Sequence, residues 1–459
     1  MKYFVAIFTI VVLLNCSVKA QTLTVHEWGT FTTLHGSSGG TLSGLYFEEE
    51  QLPSFVYHFP GFSPDPAIAY NGYIPCKDVT VKMETPVLYF YSSVEKQVQV
   101  HVDFPKGAIS QWYPNRSGGE AMPTGSSVDF DNPERNGSID WKATVLDPKT
   151  TEKLTQTANI TAKWDAPRQT NSNLVKNDQG EVEKYLFYRG LANFSLPVSV
   201  SFNNQGILTL TNSSNLDIPY IYVYDHSDMD SVSVWASGPL SAGETKTISR
   251  ATKYYHDDFS IPERIDFLTA LKVGGLNLLE ASALLQTWEE GYFQTPGFKV
   301  FWIVPRSMTD AILPITISPK PDDLQRVLVA KTEILTPAFE QQLISYYKAN
   351  GNLDQWKADR YHIAYTQRLQ ELLAKETVKG NDPSGGIIIT PNPASETIHV
   401  CGISDISSVT IRNILGEIIM TSKETVNLSE FNIHNFPPGI YFVTIADGAH
   451  RQTVKFVKK

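Results

Sequence analysis

The chain has 459 residues, 42% hydrophobic and 19% charged, with a formal net charge of −10. That is ordinary globular composition with length for about two to four domains, each with its own core, and it excludes a disordered or fibrous protein. Residues 387–459 balance six basic against six acidic side chains, so the acidity lies in the body, and a nucleic-acid partner, which needs a basic surface, is excluded.

The opening "MKYFVAIFTIVVLLNCSVKA" has a positive start at Lys2, an apolar stretch from Tyr3 to Leu14 and a small-residue end at Val18-Lys19-Ala20. It reads as a signal peptide over residues 1–20, removed by signal peptidase before Gln21. No later segment approaches ~20 consecutive apolar residues, so no transmembrane span is expected in the mature protein. Processing leaves Cys76 and Cys401, far apart and too few for a disulfide framework, so the fold must rest on core burial.

Residues 21–260 read as a β-rich, sandwich-like body, with one or two subdomains. "KQVQVHVDFP" sets Val98, Val100, Val102 and Phe104 on one face against Gln97, Gln99, His101 and Asp103, the alternation of a half-buried strand. "GILTLTNSSNLDIPYIYVYD" predicts two strands around an Asn/Ser turn, and "SGPLSAGETKTIS" a turn and a third strand. Short strands with regular turn signals favour a β-sandwich.

Residues 261–380 change period and read as an α+β segment, packed on the body or following it. Asn277 with Glu280 three residues on is a capping-box pattern, and Thr336-Pro337 is a second helix start. "FKVFWIVP" and "RVLVAKTEIL" read as buried strands, and Tyr361, Tyr365, Leu369, Leu372 and Leu373 stripe a last helix. Residues 381–386 are a linker by composition.

The tail, 387–459, is a run of short strands divided by Pro, Asn and Gly turns, enough for a small sandwich. Three motifs stand in it: Pro391-Asn392-Pro393-Ala394, Leu415-Gly416-Glu417 and Pro438-Gly439-Ile440-Tyr441, followed by a basic finish. On these motifs the tail resembles the C-terminal sorting domain of the type IX (Por) secretion system of Bacteroidetes, an immunoglobulin-like β-sandwich. The resemblance implies that Pro391, Asn392, Pro393, Gly416, Pro438, Gly439 and Tyr441 form the sorting motif and that the secretion machinery is a partner. It also implies export across both membranes, and removal of the tail with release or attachment to surface lipopolysaccharide. The expected location is the cell surface or the medium.

Candidate chemistry in the body is sparse. "HEWGT", His26 to Thr30, departs from the zinc-protease pattern because Thr30 stands where a second His is required. Its Trp28 is a candidate ligand-binding residue, weighed against a structural role. "GSSGG", 36–40, fits G-x-S-x-G formally, but no helical period follows, so a loop is expected. "YDHSDMD" and "YYHDDF" each place His among carboxylates just beyond an expected strand end. Asp225, His226, His256 and Asp257 are therefore candidate acid–base residues, and Asp228 and Asp258 candidate ligands of a divalent metal ion. The competing reading is turn capping on an acidic surface.

Tyr57, Trp112 and Tyr113, with Phe55, Phe59, Phe62, Tyr70 and Tyr73 in Pro/Gly-rich surroundings, are candidates for a groove that stacks on sugar rings. Glu48, Glu49 and Glu50 read as a solvated run. Two functional readings follow: a non-catalytic exported protein that binds glycan or protein, and a secreted hydrolase acting on polysaccharide or peptide through the loops after Tyr224 and Tyr254.

Overall fold

The computed structural model describes residues 22–45, 52–59, 78–121, 129–130, 132, 134–158, 160–228, 231–236, 238–249, 261–380, 388–401, 408–422, 430–446 and 451–459. The architecture is mainly β, and the chain divides into two compact units between Arg368 and Leu369.

The larger unit is organised by a nine-stranded sheet. Numbered along the chain, its strands are β1 (Leu23–His35), β2 (Tyr57–His58), β3 (Val81–Ser92), β4 (Gly107–Tyr113), β5 (Leu186–Ala192), β6 (Ile221–Asp228), β7 (Ser231–Ala236), β8 (Gly297–Ile303) and β9 (Asp323–Ile334). Their order across the sheet is β7-β6-β8-β9-β1-β3-β5-β4-β2. The central strand β1 runs parallel to β9, pairing Thr24 with Asp323 through His35 with Ile334, and antiparallel to β3. Strands β8 and β9, from the α+β segment, thus lie inside the same sheet as the first strand of the body.

Both faces are covered, which is why β1, β3, β5 and β9 are buried along most of their length instead of alternating. One face packs on a six-stranded sheet, containing Lys96–Pro105 and Asn136–Val145, and on a three-stranded sheet of Val198–Phe202, Ile207–Asn212 and Thr245–Ser249. Val98, Val100, Val102 and Phe104 point inward there, as their alternation predicts.

The other face carries helices α1 (Ala162–Asp165), α2 (Ile261–Val273) and α3 (Leu278–Thr287), followed by a π-helical turn, Glu289–Gln294. Trp28, Val87, Phe187, Phe301 and Val329 of the sheet meet Phe267, Leu271, Leu284 and Tyr292 of this helical layer. Helix α3 starts in the predicted capping box: Glu280 N–H donates to Asn277 Oδ1 (3.0 Å), and Asn277 N–H donates to Glu280 Oε2 (2.9 Å). Helices α4 (Arg306–Ile312), α5 (Pro337–Asn350) and α6 (His362–Gly380) follow, with Thr336 capping α5 as predicted.

The smaller unit holds a four-stranded sheet, ordered Ile418–Ser422, Ser408–Asn413, Gly439–Ala446 and Arg451–Lys458, and a three-stranded sheet of Ile388–Thr390, Thr397–Cys401 and Glu430–Asn432. Ile398, Val409, Ile411, Tyr441, Val443, Ile445 and Phe456 form its core.

Candidate functional site

Strand β1 places "HEWGT" at the centre of the large sheet, with alternate residues on opposite faces. His26, Trp28 and Thr30 face the helices and Glu27 faces the second sheet. Trp28 is wholly buried in the helical layer. His26 Nδ1 lies 2.8 and 3.0 Å from the two carboxylate oxygens of buried Glu280, and Tyr91 Oη donates to the same carboxylate at 2.5 Å. The helix cap therefore also fixes the orientation of an imidazole. On the opposite face Glu27 accepts from Arg326 Nε (2.6 Å) and Tyr188 Oη (2.5 Å), and Arg326 Nη1 continues to Asp310 (2.8 Å) and the Leu313 carbonyl (2.7 Å). This is a fully buried ion pair between the sheets.

Gly29 has a steric reason. A Cβ there would sit 2.9 Å from Pro86 Cα, where β3 makes a bulge at Thr85-Pro86 and the register with β1 skips between Trp28 and Thr30. Thr85 takes φ +54°, a left-handed conformation that a β-branched residue rarely adopts. Strain of this kind costs of order 1–3 kcal/mol and gathers at functional sites.

Beside Thr85 the helical face of the sheet opens into a cleft. Its floor is Thr85 and Val87 with Tyr185, Phe187 and Arg189; its walls are Thr161, Lys163, Trp164, Pro167 and Thr287, and Leu52 and Pro53 stand at its side. Arg189 Nη2 donates to Thr85 Oγ1 at 3.4 Å. Lys163 Nζ lies 4.4 Å from the Trp288 ring centroid. Trp164 meets Phe187 at 5.1 Å and Tyr185 at 5.9 Å between centroids, giving the cleft an aromatic wall. Aromatic rings, threonine hydroxyls and two cations thus converge on one strained backbone position.

Further along the same face, Lys82, Lys299 and Lys331 are buried. Lys82 lies 3.3 Å from Glu84, Lys331 lies 3.0 Å from Glu333, and Lys299 donates to Thr295 Oγ1 (2.8 Å) and to the Thr295 carbonyl (2.6 Å). Neither this band nor the cleft was legible beforehand. The one local signal was Thr85-Pro86 inside an otherwise strand-like run, where Pro marks a bulge.

The other sequence candidates are placed as follows. Asp225 and His226 lie within β6 rather than in a loop beyond it, because β6 continues in register with β8 to the His226–Gly297 pair. Asp225 is buried and accepts from the Ser227 N–H (3.0 Å) and the Ser227 hydroxyl. His226 stands edge-on to Tyr224, 6.2 Å between centroids. Asp228 pairs with Ser231 at the β6–β7 turn. His256, Asp257 and Asp258 lie outside the described residues, as do Glu48, Glu49, Glu50, Phe62, Tyr70, Tyr73 and Cys76. Among the described residues no group of three or more His, Cys, Asp or Glu side chains could hold a metal ion.

Tyr57 on edge strand β2 stacks on Trp112 and Tyr113, each 6.4 Å away, and both of the latter are buried. Its hydroxyl donates to Glu181 (2.9 Å), and burial together with Glu181 pushes its pKa up to about 12. "GSSGG" is a tight turn pinned to α5: Ser37 N–H and Oγ donate to Glu340 at 2.8 and 2.6 Å, and Arg368 Nε donates to the same carboxylate at 2.7 Å.

In the smaller unit, the motifs close the two ends of the tail on each other. Asn392 Oδ1 accepts from Val457 N–H (2.9 Å), and Asn392 Nδ2 donates to the Lys455 carbonyl (3.1 Å). Ala394 exchanges backbone bonds with Val457 and Lys459 at 2.8 and 2.9 Å. Gly416 takes φ +83° in its turn, and Tyr441, buried on Phe456, donates to the Pro437 carbonyl at 2.7 Å. Residues 389–459 match the secretion system C-terminal sorting domain. The sorting domain makes the chain a cargo of type IX secretion, destined for the cell surface or the extracellular space. No helix among the described residues is long and apolar enough to cross a membrane.

No curated protein matches the chain. Among solved structures, the yeast delta-COP-I mu-homology domain in complex with a Dsl1 WxWxV peptide aligns at 7% identity over 69% of this chain and 100% of its own, with TM-score 0.26. The yeast domain without the peptide aligns at 8% identity over 68% and 98%, with TM-score 0.23. Likenesses at these scores say nothing about fold or activity.

Proposed function

We propose that the exported body is a glycan-binding protein whose ligand rests across the mouth of the cleft beside Thr85, at Thr161 and Lys163. The observation that carries this reading is the meeting of an aromatic wall at Trp164, the hydroxyls of Thr85, Thr161 and Thr287, and the cations Lys163 and Arg189. Sugar rings present apolar faces that stack on aromatics and hydroxyls that exchange hydrogen bonds with short polar side chains. On this reading the signal peptide is removed at the inner membrane. The sorting domain is then removed at the surface, with release or attachment to lipopolysaccharide, leaving the cleft exposed to extracellular polysaccharide.

A glycan array probed with the purified chain tests this, followed by titration of the strongest binder against Lys163→Ala and Thr161→Val, substitutions at the cleft wall. Retention of a glycan, weakened about tenfold or more by either change, supports the reading. Binding unaltered in both variants, or none at all, overturns it.

A second reading, a hydrolase, has one observation in its favour. Glu280 holds His26 by Nδ1, so Nε2 points to the other side of the ring, where half-exposed Asp323 lies 4.0 Å away, a carboxylate–imidazole–carboxylate arrangement suited to proton transfer. Hydrolysis of a polysaccharide or peptide panel that is lost in His26→Gln, with the melting temperature retained, would favour it over binding alone. Absence of turnover on the whole panel removes it.

A further inference from the structure

The three sorting motifs divide into residues that their own domain explains and residues that it does not. Asn392 and Ala394 hold the last strand, Gly416 supplies a left-handed turn position, and Tyr441 fills the core. Leu415 and Ile440 do none of this: they are 80% and 37% exposed. Beside them Ile414, Ile418 and Ile419 are 67%, 56% and 40% exposed. Ile414 and Ile440 each lie one residue beyond the Asn413–Tyr441 pair, so they end adjacent strands side by side, and Ile418 pairs across the hairpin with Arg412.

Isolated exposed apolar residues are ordinary, but five large ones on one hairpin end and its neighbouring strand form a patch, and such patches mark interaction sites. Its turn is held rigid. Asn413 Oδ1 accepts from the N–H groups of Leu415 and Glu417, both at 3.0 Å, and Arg412 Nη1 donates to the Gly416 carbonyl at 2.8 Å. Ordering a loop on binding costs entropy, and a turn fixed in advance avoids that cost.

We infer that this hairpin end, centred on Leu415, is the surface by which the export machinery holds the sorting domain. A sorting domain has to be read by that machinery, and this patch contains Leu415 and Ile440, motif residues that its core does not bury. The charge around it sets the character of the partner. Arg412 and Glu417 both border the patch, and Lys455 and Lys459 lie on and just beyond the outermost strand of the same sheet, so the complementary surface is apolar at its centre with a rim of mixed charge.

The test expresses the full chain, with its own leader, in cells carrying the secretion machinery, and compares wild type with Leu415→Lys and with Leu415→Ser/Ile418→Ser. The extracellular fraction should fall at least tenfold, with leader-free chain accumulating inside the outer membrane and its tail retained. Leu415→Met should export normally. Because Leu415 contributes almost nothing to its own core, the purified Leu415→Lys chain should keep the wild-type melting transition, which separates lost recognition from lost folding. Wild-type export of both disrupted variants overturns the inference. So does a wild-type dimer in sedimentation that either variant dissociates while export is unchanged, since the patch would then be a contact between copies.

Discussion

His35 makes the larger unit sensitive to acid in a calculable way. The ring is buried at the end of β1, where Nδ1 accepts the Val200 N–H (3.3 Å) and Nε2 faces Thr41 Oγ1 at 3.3 Å. This pattern requires the neutral ring, since a proton on Nδ1 would confront an N–H donor. Burial accordingly pulls the pKa from 6.5 down to about 4. A histidine whose folded pKa lies below its unfolded value binds fewer protons when folded, so stability is full above pH 6.5 and falls as pH drops toward 4. At about 1.4 kcal/mol per pH unit, the loss is about 2 kcal/mol between pH 6.5 and 5, a window in which most carboxylates remain ionised. Over the same window His101 contributes with the opposite sign: burial lowers its pKa, but the hydrogen bonds and charges of Asp140 and Asp103 together outweigh burial and leave it raised. The comparison must therefore be made against a variant. Urea unfolding of wild type and His35→Asn at half-unit pH steps provides it. The substituted amide still offers an acceptor to Val200, and the variant is less stable at pH 7 for lack of ring volume, but its free energy of unfolding should vary with pH by about 2 kcal/mol less than wild type. Parallel pH profiles for the two proteins would refute the argument.

Three further outcomes follow from the same structure. Glu27→Ala takes the carboxylate from Arg326 Nε and Tyr188 Oη, leaving Arg326 paired only with half-exposed Asp310, and should cost about 3 kcal/mol of unfolding free energy, with part of it recovered in Glu27→Met/Arg326→Leu, both read by denaturant titration. Thr85→Gly removes the left-handed strain at some expense in chain entropy and should stabilise the protein by about 1 kcal/mol, seen as a raised melting temperature, while weakening any ligand held in the cleft. Asn277→Ala removes the α3 cap and a 3.0 Å bond to Tyr91 Oη; a loss of about 1 kcal/mol and faster amide exchange at the start of α3 are expected by hydrogen-exchange mass spectrometry.

What was legible in the sequence was what depends on near neighbours. The capping box at Asn277 and Glu280, the Thr336-Pro337 start and the alternation from Val98 to Phe104 each rest on spacings of a few residues, and each appears as expected. The tail was legible because its motifs are also local. The pairing of β1 with β9 joins residues about three hundred positions apart, and no local period encodes it. That pairing gives Glu27 its buried Arg326, and the neighbouring β6–β8 pairing turns Asp225 and His226 from expected loop residues into strand residues. The cleft is illegible in sequence for the same reason: Thr85, Lys163, Trp164 and Arg189 come from three separate stretches of chain, and none is unusual in its own setting.

The grip of Asn392 and Ala394 on the final strand has a bearing on synthesis. A ribosome that stalls or a protease that nicks anywhere before Lys455 leaves a tail whose first strand has lost the partners its motif is shaped to hold. Such a fragment can carry every earlier residue of the body and still lack a closed sorting domain. Closure of the tail thus depends on the strand Arg451–Lys458 as much as on the motif that opens it.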